Sequence, residues 1–281
     1  MELELLQPLR CDRFVELARH CGKSVRAWRD GSRWYLCAEE GRIHLRLWNR
    51  YSNVSNKIVF NPTRYETFLH LTQEIKELLG DSFSGREKIR RCDLAVNVQR
   101  PFSEVRLGLD VKFKKFSEAF TSGEPTGLNI GKGEERIVVY DYGLRHGGLP
   151  SAVTRVEAQL RGRRLPVKEF CEIDQLPKVL REKNTFSKVQ LYNIDFAAPD
   201  SVTTLRETER LTRLKTSFDL IGYSTGRRYL NRNGNFDRDY GHLFRALPSP
   251  ISLQEKIIRH VESFFDTQAT GDMEQCFRRS A

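Results

Sequence analysis

The sequence predicts an α+β fold: a central, mostly antiparallel sheet with flanking helices, followed by a mainly helical C-terminal region. Three observations predict it. Several segments alternate apolar and polar residues with the period of half-buried strands, and short turns join them. Between them, one segment carries Phe68, Leu71, Ile75, Leu78 and Leu79 at helical spacing. From Asp174 onward, helical patterns with polar loops replace the alternation. Residues 1–180 are therefore read as an α+β core, with 1–82 a candidate N-terminal subdomain, and 181–281 as the helical region.

The elements follow in order. Met1 to about Gly31 is read as one or two helices, with Phe14, Leu17 and Ala18 on the inner stripe. Arg33–Cys37 and Arg42–Trp48 form a hairpin over Glu39-Glu40-Gly41. On its second strand Ile43, Leu45 and Leu47 alternate with Arg42, His44, Arg46 and Trp48. So basic a polar face makes Arg42, His44 and Arg46 candidate DNA contacts. Lys57–Phe60 is a third strand, and Asn61-Pro62 reads as a cap with proline opening the helix that ends at Gly80.

Arg90–Val98 is the next strand, with Leu94, Val96 and Val98 facing the core and Arg91, Asp93, Ala95 and Asn97 opposite. Ser103 to Phe120 reads as a basic amphipathic helix carrying Lys112, Lys114 and Lys115. Thr126–Ile130 is a short strand, turned by Gly131-Lys132-Gly133 into a strand over Arg136–Tyr142. A Gly-rich turn then leads to the Arg155–Arg161 strand, whose Val156, Ala158 and Leu160 face one way and Arg155, Glu157, Gln159 and Arg161 the other. A helix begins between Pro166 and Glu172. Later helices cover Thr204 to about Leu220 and Leu253–Phe265, with a loop at Asn231–Asn235 between them; the final dozen residues are expected to fray. The role of this last region stays open between origin recognition, oligomerisation (as a homodimer) and packing.

Composition narrows the partners. Forty-seven Lys and Arg against 37 acids give a net charge of +10, and arginine repeatedly adjoins aromatics, as in Trp28-Arg29, Arg33-Trp34-Tyr35 and Arg227-Arg228-Tyr229. That interleaving suits phosphate contact with base stacking, and so a nucleic-acid partner rather than merely a solvated basic surface. There is no run of about 18 apolar residues and no basic-plus-apolar leader, so no membrane partner is expected and the expected location is the cytoplasm. Six scattered cysteines without a C-x-x-C pair argue for buried, reduced thiols rather than a zinc site or disulfide framework.

Three polar-faced strands suggest chemistry. One carries Asp93, one Tyr140 and Tyr142, and one Glu157. Asp93 is either the partner of a neighbouring arginine or a divalent-metal ligand. Were the three strands neighbours, Asp93 and Glu157 would hold Mg²⁺ or Mn²⁺, and a tyrosine would attack phosphorus. Arg155, Arg161, Lys132 and the metal would favour the phenolate. The plainer alternative for either tyrosine is aromatic packing with a satisfied hydroxyl.

The Arg-x-Asp-Leu-Ala-Val strand, the Thr-Gly-Leu-Asn-Ile-Gly-Lys segment, the Ile-Val-Val-Tyr-Asp strand and Thr-Arg-Val-Glu-Ala-Gln-Leu-Arg-Gly together resemble rolling-circle replication initiators of the Rep_trans type. They are also similar to the gene II replication proteins of filamentous phages. The resemblance covers roughly residues 57–170. It implies a nickase core that cuts one strand at a replication origin through a tyrosine, with a divalent metal and a host helicase. By position it makes Tyr140 the family tyrosine, Asp93 the acid of the first motif strand and Glu157 the acid of the Arg-x-Glu strand.

The chain departs from the family pattern in three ways. Tyr142 stands where relatives often have Lys, which leaves open which phenol attacks, although position favours Tyr140. Asn97 replaces a common second acid, so the metal shell is either thinner or completed by Glu134, Glu135 or Asp141. No His-hydrophobe-His motif occurs.

The leading expectation is a metal-dependent nicking and joining enzyme with Tyr140, Tyr142 and Arg155 catalytic, Asp93 and Glu157 holding the metal, and Arg42, His44, Arg46, Lys132, Arg161 and Arg163 on DNA. The alternatives are a non-cutting DNA-binding protein on the same scaffold and an RNA-binding protein.

Overall fold

The structure is a computed structural model that describes residues 1–6, 12, 15–16, 19, 24–30, 33–38, 43–50, 53–62, 65, 67–111, 115–121, 123–192, 204–221, 223–245 and 251–265. It is α+β with antiparallel strands, as the periodicity predicts, and resolves into two compact units. The first comprises Met1–Asp93, Leu160–Lys183 and Ile258–Ala281; the second comprises Leu94–Gln159 and Asn184–Ile257. Described helix after residue 200 lies in Leu205–Ile221, Tyr223–Leu230, Phe236–Arg245 and Leu253–Phe265.

In the first unit the strands are β1 (Glu2–Glu4), β2 (Val25–Asp30), β3 (Arg33–Ala38), β4 (Ile43–Arg50), β5 (Asn53–Phe60) and the first half of β6 (Lys88–Val98). Their order is β2-β3-β4-β5-β1-β6. The expected hairpin is present, with Tyr35 opposite Arg46 and Cys37 opposite His44. A start made wholly of helix is not. Glu2–Glu4 is a strand paired with both β5 and β6, and Val25–Asp30 is a strand paired with β3. Between residues 7 and 23 only positions 12, 15, 16 and 19 are described, and they are helical; Phe14, Leu17 and Ala18 lie outside the described residues.

Helix α1 (Phe68–Leu79) starts later than the Asn61-Pro62 pair predicts. Thr67 is its cap, its hydroxyl accepting from His70 N at 3.1 Å. The helix buries Phe68, Leu71, Ile75 and Leu79, and Gly80 ends it in a positive-φ conformation. Phe68 sits 5.5 Å from Phe170 and 5.0 Å from Phe265, while Phe60 and Phe83 meet Phe170 edge-on. Phe170 is fully buried in this cluster. One aromatic core thus draws together three stretches distant in sequence, which explains why the unit is discontinuous. Phe170 opens a 3₁₀ segment, Phe170–Gln175, that leads into α4 (Leu176–Glu182), so the α-helix starts later than the Pro166–Glu172 stretch where the sequence predicts it.

The second unit holds the latter half of β6, then β7 (Leu109–Val111), β8 (Phe116–Thr121), β9 (Glu124–Lys132), β10 (Glu135–Asp141) and most of β11 (Thr154–Arg161). The strand order is β6-β11-β10-β9-β8, and β7 pairs separately with β12 (Val189–Leu191). The core faces of β6 and β11 fall where the alternation puts them: Leu94, Val96, Val98, Val156, Ala158 and Leu160 are all buried. The long helix expected over Ser103–Phe120 is instead α2 (Phe102–Gly108) followed by β7 and β8. The strand read to Tyr142 stops at Asp141, and α3 (Tyr142–Gly147) replaces the simple turn.

Behind the strands of this unit stand α5 (Leu205–Ile221), α6 (Tyr223–Leu230) and α7 (Phe236–Arg245), packed around Leu214, Phe218, Phe236 and Tyr240. Arg106 of α2 is 3% exposed and reaches Asp219 of α5 at 2.6 Å. The last described helix, α8 (Leu253–Phe265), has the predicted bounds. Of the cysteines among the described residues, Cys92 is buried as expected, but Cys171 is exposed, since it lies on the outer turn of the 3₁₀ segment beside Glu169.

Candidate functional site

The site grows out of the pairing of β9 with β10, which sets Gly127 opposite Tyr140. A β-carbon at Gly127 would lie 3.0 Å from the Val139 carbonyl oxygen and 3.2 Å from Tyr140 Cβ, so the missing side chain leaves room for the ring. Tyr140 is 6% exposed. Its hydroxyl donates to Glu157 Oε2 at 3.4 Å, a long contact of the kind that tightens when a site is occupied. Glu157 Oε1 accepts from Gln159 Nε2 at 2.7 Å, so the polar face of β11 supplies both the acid and its anchor.

Cations surround this pair. The Arg145 guanidinium lies over the Tyr140 ring, 4.4 Å from its centroid, and that of Arg155 lies 5.5 Å from the Tyr142 centroid. Among the described residues no hydrogen-bond partner meets the buried Arg155 Nε. The His146 ring is 4.6 Å from Tyr142 and 6.3 Å from Tyr140. Asp141 makes this arrangement local. Its buried carboxylate caps α3, accepting from Leu144 N at 2.9 Å, and also accepts from Ser151 N at 3.2 Å. One acid therefore fixes both ends of the segment that carries Tyr142, Arg145 and His146.

The electrostatics correct one expectation. Arginines near Tyr140 were to favour its phenolate, yet its pKa is raised. Burial is the main cause and the Glu157 charge adds to it, while Arg155 and Arg145 offset only part. Tyr140 is thus held as a neutral hydrogen-bond donor.

The other expected site residues are distributed as follows. Asp93 belongs to the first unit, where Arg91 Nε donates to its Oδ1 at 2.7 Å, the ion-pair alternative that the sequence left open. Tyr142 does not share a strand face with Tyr140, because the cap at Asp141 turns the chain into α3 first. Lys132, Arg161 and Arg163 are exposed, Lys132 in the second unit and the two arginines in the first. Arg42 lies outside the described residues, as do the side chains of His44 and Arg46.

Mg²⁺ or Mn²⁺ takes one or two carboxylates, with water and substrate phosphates completing its shell. Among the described residues of the second unit, Glu157 is the acid in contact with the Tyr140 hydroxyl, and both its oxygens accept hydrogen bonds. Asp141 is engaged as a cap, Glu135 faces Lys188 at 3.6 Å, and Asn97 is exposed. Among the described residues no group of three or more His, Cys, Asp or Glu is placed to hold a metal. The residues around Tyr140 do not by themselves fit the expected ion, and no step below is routed through one.

Arg145, His146, Gln159 and Gly127 were not singled out from the sequence. A signal for two of them exists: Tyr142, Arg145 and His146 are spaced i, i+3 and i+4, so a single helical turn aligns them.

Comparison with known proteins adds little. No family model and no curated protein matches the chain. A solved structure of a rolling-circle replication initiator protein from Geobacillus stearothermophilus is similar over 71% of this chain and 88% of that one, with 14% identity and a TM-score of 0.36. At that score and identity the likeness assigns no activity. Among the described residues no helix is long and apolar enough to cross a membrane.

Proposed function

We propose that the second unit carries a tyrosine nucleophile that cuts and rejoins one DNA strand, the chemistry with which a rolling-circle initiator starts replication. The observation that carries this reading is the Tyr140 hydroxyl donating to Glu157 with Arg145 over the ring and Arg155 nearby. Tyr140 Oη attacks phosphorus, forming a P–Oη ester and breaking the bond from phosphorus to one side of the strand. The phenol proton passes to Glu157 Oε2, and the departing strand oxygen takes a proton from water. Reversal of these steps rejoins the strand. In this reading Glu157 is a general base rather than the metal ligand that the family resemblance implies, and a buried phenol needs such a base because it does not ionise by itself. Arg145 and Arg155 neutralise charge on the phosphoryl oxygens.

The test is incubation of the full chain with a labelled single strand, with and without Mn²⁺, followed by denaturing electrophoresis and peptide mapping. A covalent adduct mapping to Tyr140 is expected, and it disappears in Tyr140→Phe. An adduct that persists in a Tyr140→Phe, Tyr142→Phe double variant overturns the reading.

The burial of Tyr140 favours a second reading, a DNA-binding protein that does not cut. DNA that stays bound and intact across metals and sequences selects it. A host helicase partner and a homodimer belong to the first reading as further proposals.

A further inference from the structure

We infer that Tyr142 and His146 form a stacking platform for one unpaired nucleobase, and that Arg145 and Arg155 take the adjoining phosphate, so the site accepts DNA as a single strand. This rests on the reading of Tyr140 as the nucleophile and assigns its neighbour a separate task. Three features carry it. Tyr142 is half-buried while His146 is exposed, and the two rings lie 4.6 Å apart with planes inclined by 42°. They make a tilted aromatic corner rather than a closed stack, with one ring open to solvent.

Among the described residues, neither Arg145 nor Arg155 is engaged by a carboxylate, and each lies over a tyrosine ring instead. A guanidinium stacked on an aromatic face keeps its N–H edge free for phosphate oxygens. Arg155 further holds a buried Nε–H that no acceptor among the described residues meets.

Finally, the spacing agrees with a nucleotide. Tyr142, Arg145 and His146 share one helical turn, and the Arg145 guanidinium lies over Tyr140, so a phosphate held there would sit beside the Tyr140 ring and its nearest base beside Tyr142. A base inside a duplex has both faces covered by its neighbours and has none left for the platform. A single strand has.

The experiment measures binding of the full chain in a Tyr140→Phe background, so that no strand is cut, by fluorescence anisotropy. The probes are a single-stranded oligonucleotide, a set of the same strand with one abasic residue moved along it, and the matched duplex. One abasic position is expected to weaken binding by about 5- to 150-fold, the range for loss of one stacked base. Tyr142→Ala weakens single-strand binding by a similar factor, Tyr142→Phe restores most of that loss, and duplex binding changes by less than about twofold. The abasic position adds nothing further in Tyr142→Ala.

An abasic scan without a sensitive position, which needs no variant at the platform, overturns the inference. So does an equal loss for single strand and duplex in Tyr142→Ala. The adduct assay is independent of these readings: an adduct at Tyr140 with no sensitive base position leaves the nucleophile standing and removes only the platform.

Discussion

Tyr140 and Glu157, seventeen positions apart in sequence, meet through a single hydroxyl-to-carboxylate contact of 3.4 Å on adjacent strands of the second unit. The contact joins a phenol whose pKa burial raises to a carboxylate whose charge raises it further, and the titration of the phenol can be followed directly.

In ring-labelled protein observed by NMR, Tyr140 should titrate above the usual tyrosine value of about 10. Burial is the first cause, and the Glu157 charge the second. Glu157→Gln should therefore lower the Tyr140 pKa without returning it fully to the ordinary range. The sign for stability follows: the folded state keeps this proton to higher pH than the unfolded chain. The contribution of Tyr140 is complete below the unfolded pKa and is lost as pH rises through the folded one. Titration at or below the ordinary value would contradict the burial argument.

Tyr140→Phe should cost little stability, about 1 kcal/mol or less in urea unfolding, because the bond is long and Glu157 retains Gln159. A fall beyond about 2 kcal/mol would mean that the hydroxyl serves the fold first. Loss of the adduct would then say nothing about chemistry.

Asp141→Ala should destabilise by about 1–2 kcal/mol through the lost cap alone. It should also disorder the Tyr142–Ser151 segment, since Ser151 loses the same acceptor. Amide exchange at Leu144 and Ser151 reads the second effect apart from the first. Unchanged protection at both amides would show that the cap is dispensable.

Asp219→Ala should cost about 3 kcal/mol, the lower end for an unpaired buried charge, because Arg106 is 3% exposed and its Nε and Nη1 already lack partners. The Arg106→Met, Asp219→Ala double variant should recover much of that loss. If the double variant is worse than Asp219→Ala, the guanidinium is held by more than Asp219.

Phe170→Ala should cost about 3–5 kcal/mol in the first unit, where the ring is fully buried against Phe60, Phe68 and Phe83. Thermal unfolding checks the magnitude. A cost under about 1 kcal/mol would mean that the aromatic cluster does not hold the three distant stretches together.

Strands with one buried face were legible in the sequence. Leu94, Val96 and Val98, and Val156, Ala158 and Leu160, reveal themselves because a period of two survives only where one side meets the core. The same alternation put Glu157 and Arg155 on the polar side. What could not be read depends on distant partners. Leu109–Val111 leaves the helical state to pair with Val189–Leu191, about 80 residues on, and no local pattern announces that. Glu2–Glu4 is too short to show a period and exists as a strand because it is paired on both edges. At the site, Tyr142 was placed on the wrong element. Asp141 has the composition of a strand end and of a helix cap alike, and only its bonds to Leu144 and Ser151 decide between them.

The Asp141–Ser151 clasp has a consequence for how such a protein diversifies. With both anchor points held by one carboxylate, the stretch strung between them is insulated from the sheet: exposed positions such as Leu149 can be rewritten while Tyr140 and Glu157, on the strands outside, keep their registration. The length and composition of that stretch can then drift without disturbing the strands that hold the phenol against the acid, and a foreign segment grafted after His146 and closed again at Ser151 should leave both strands in place.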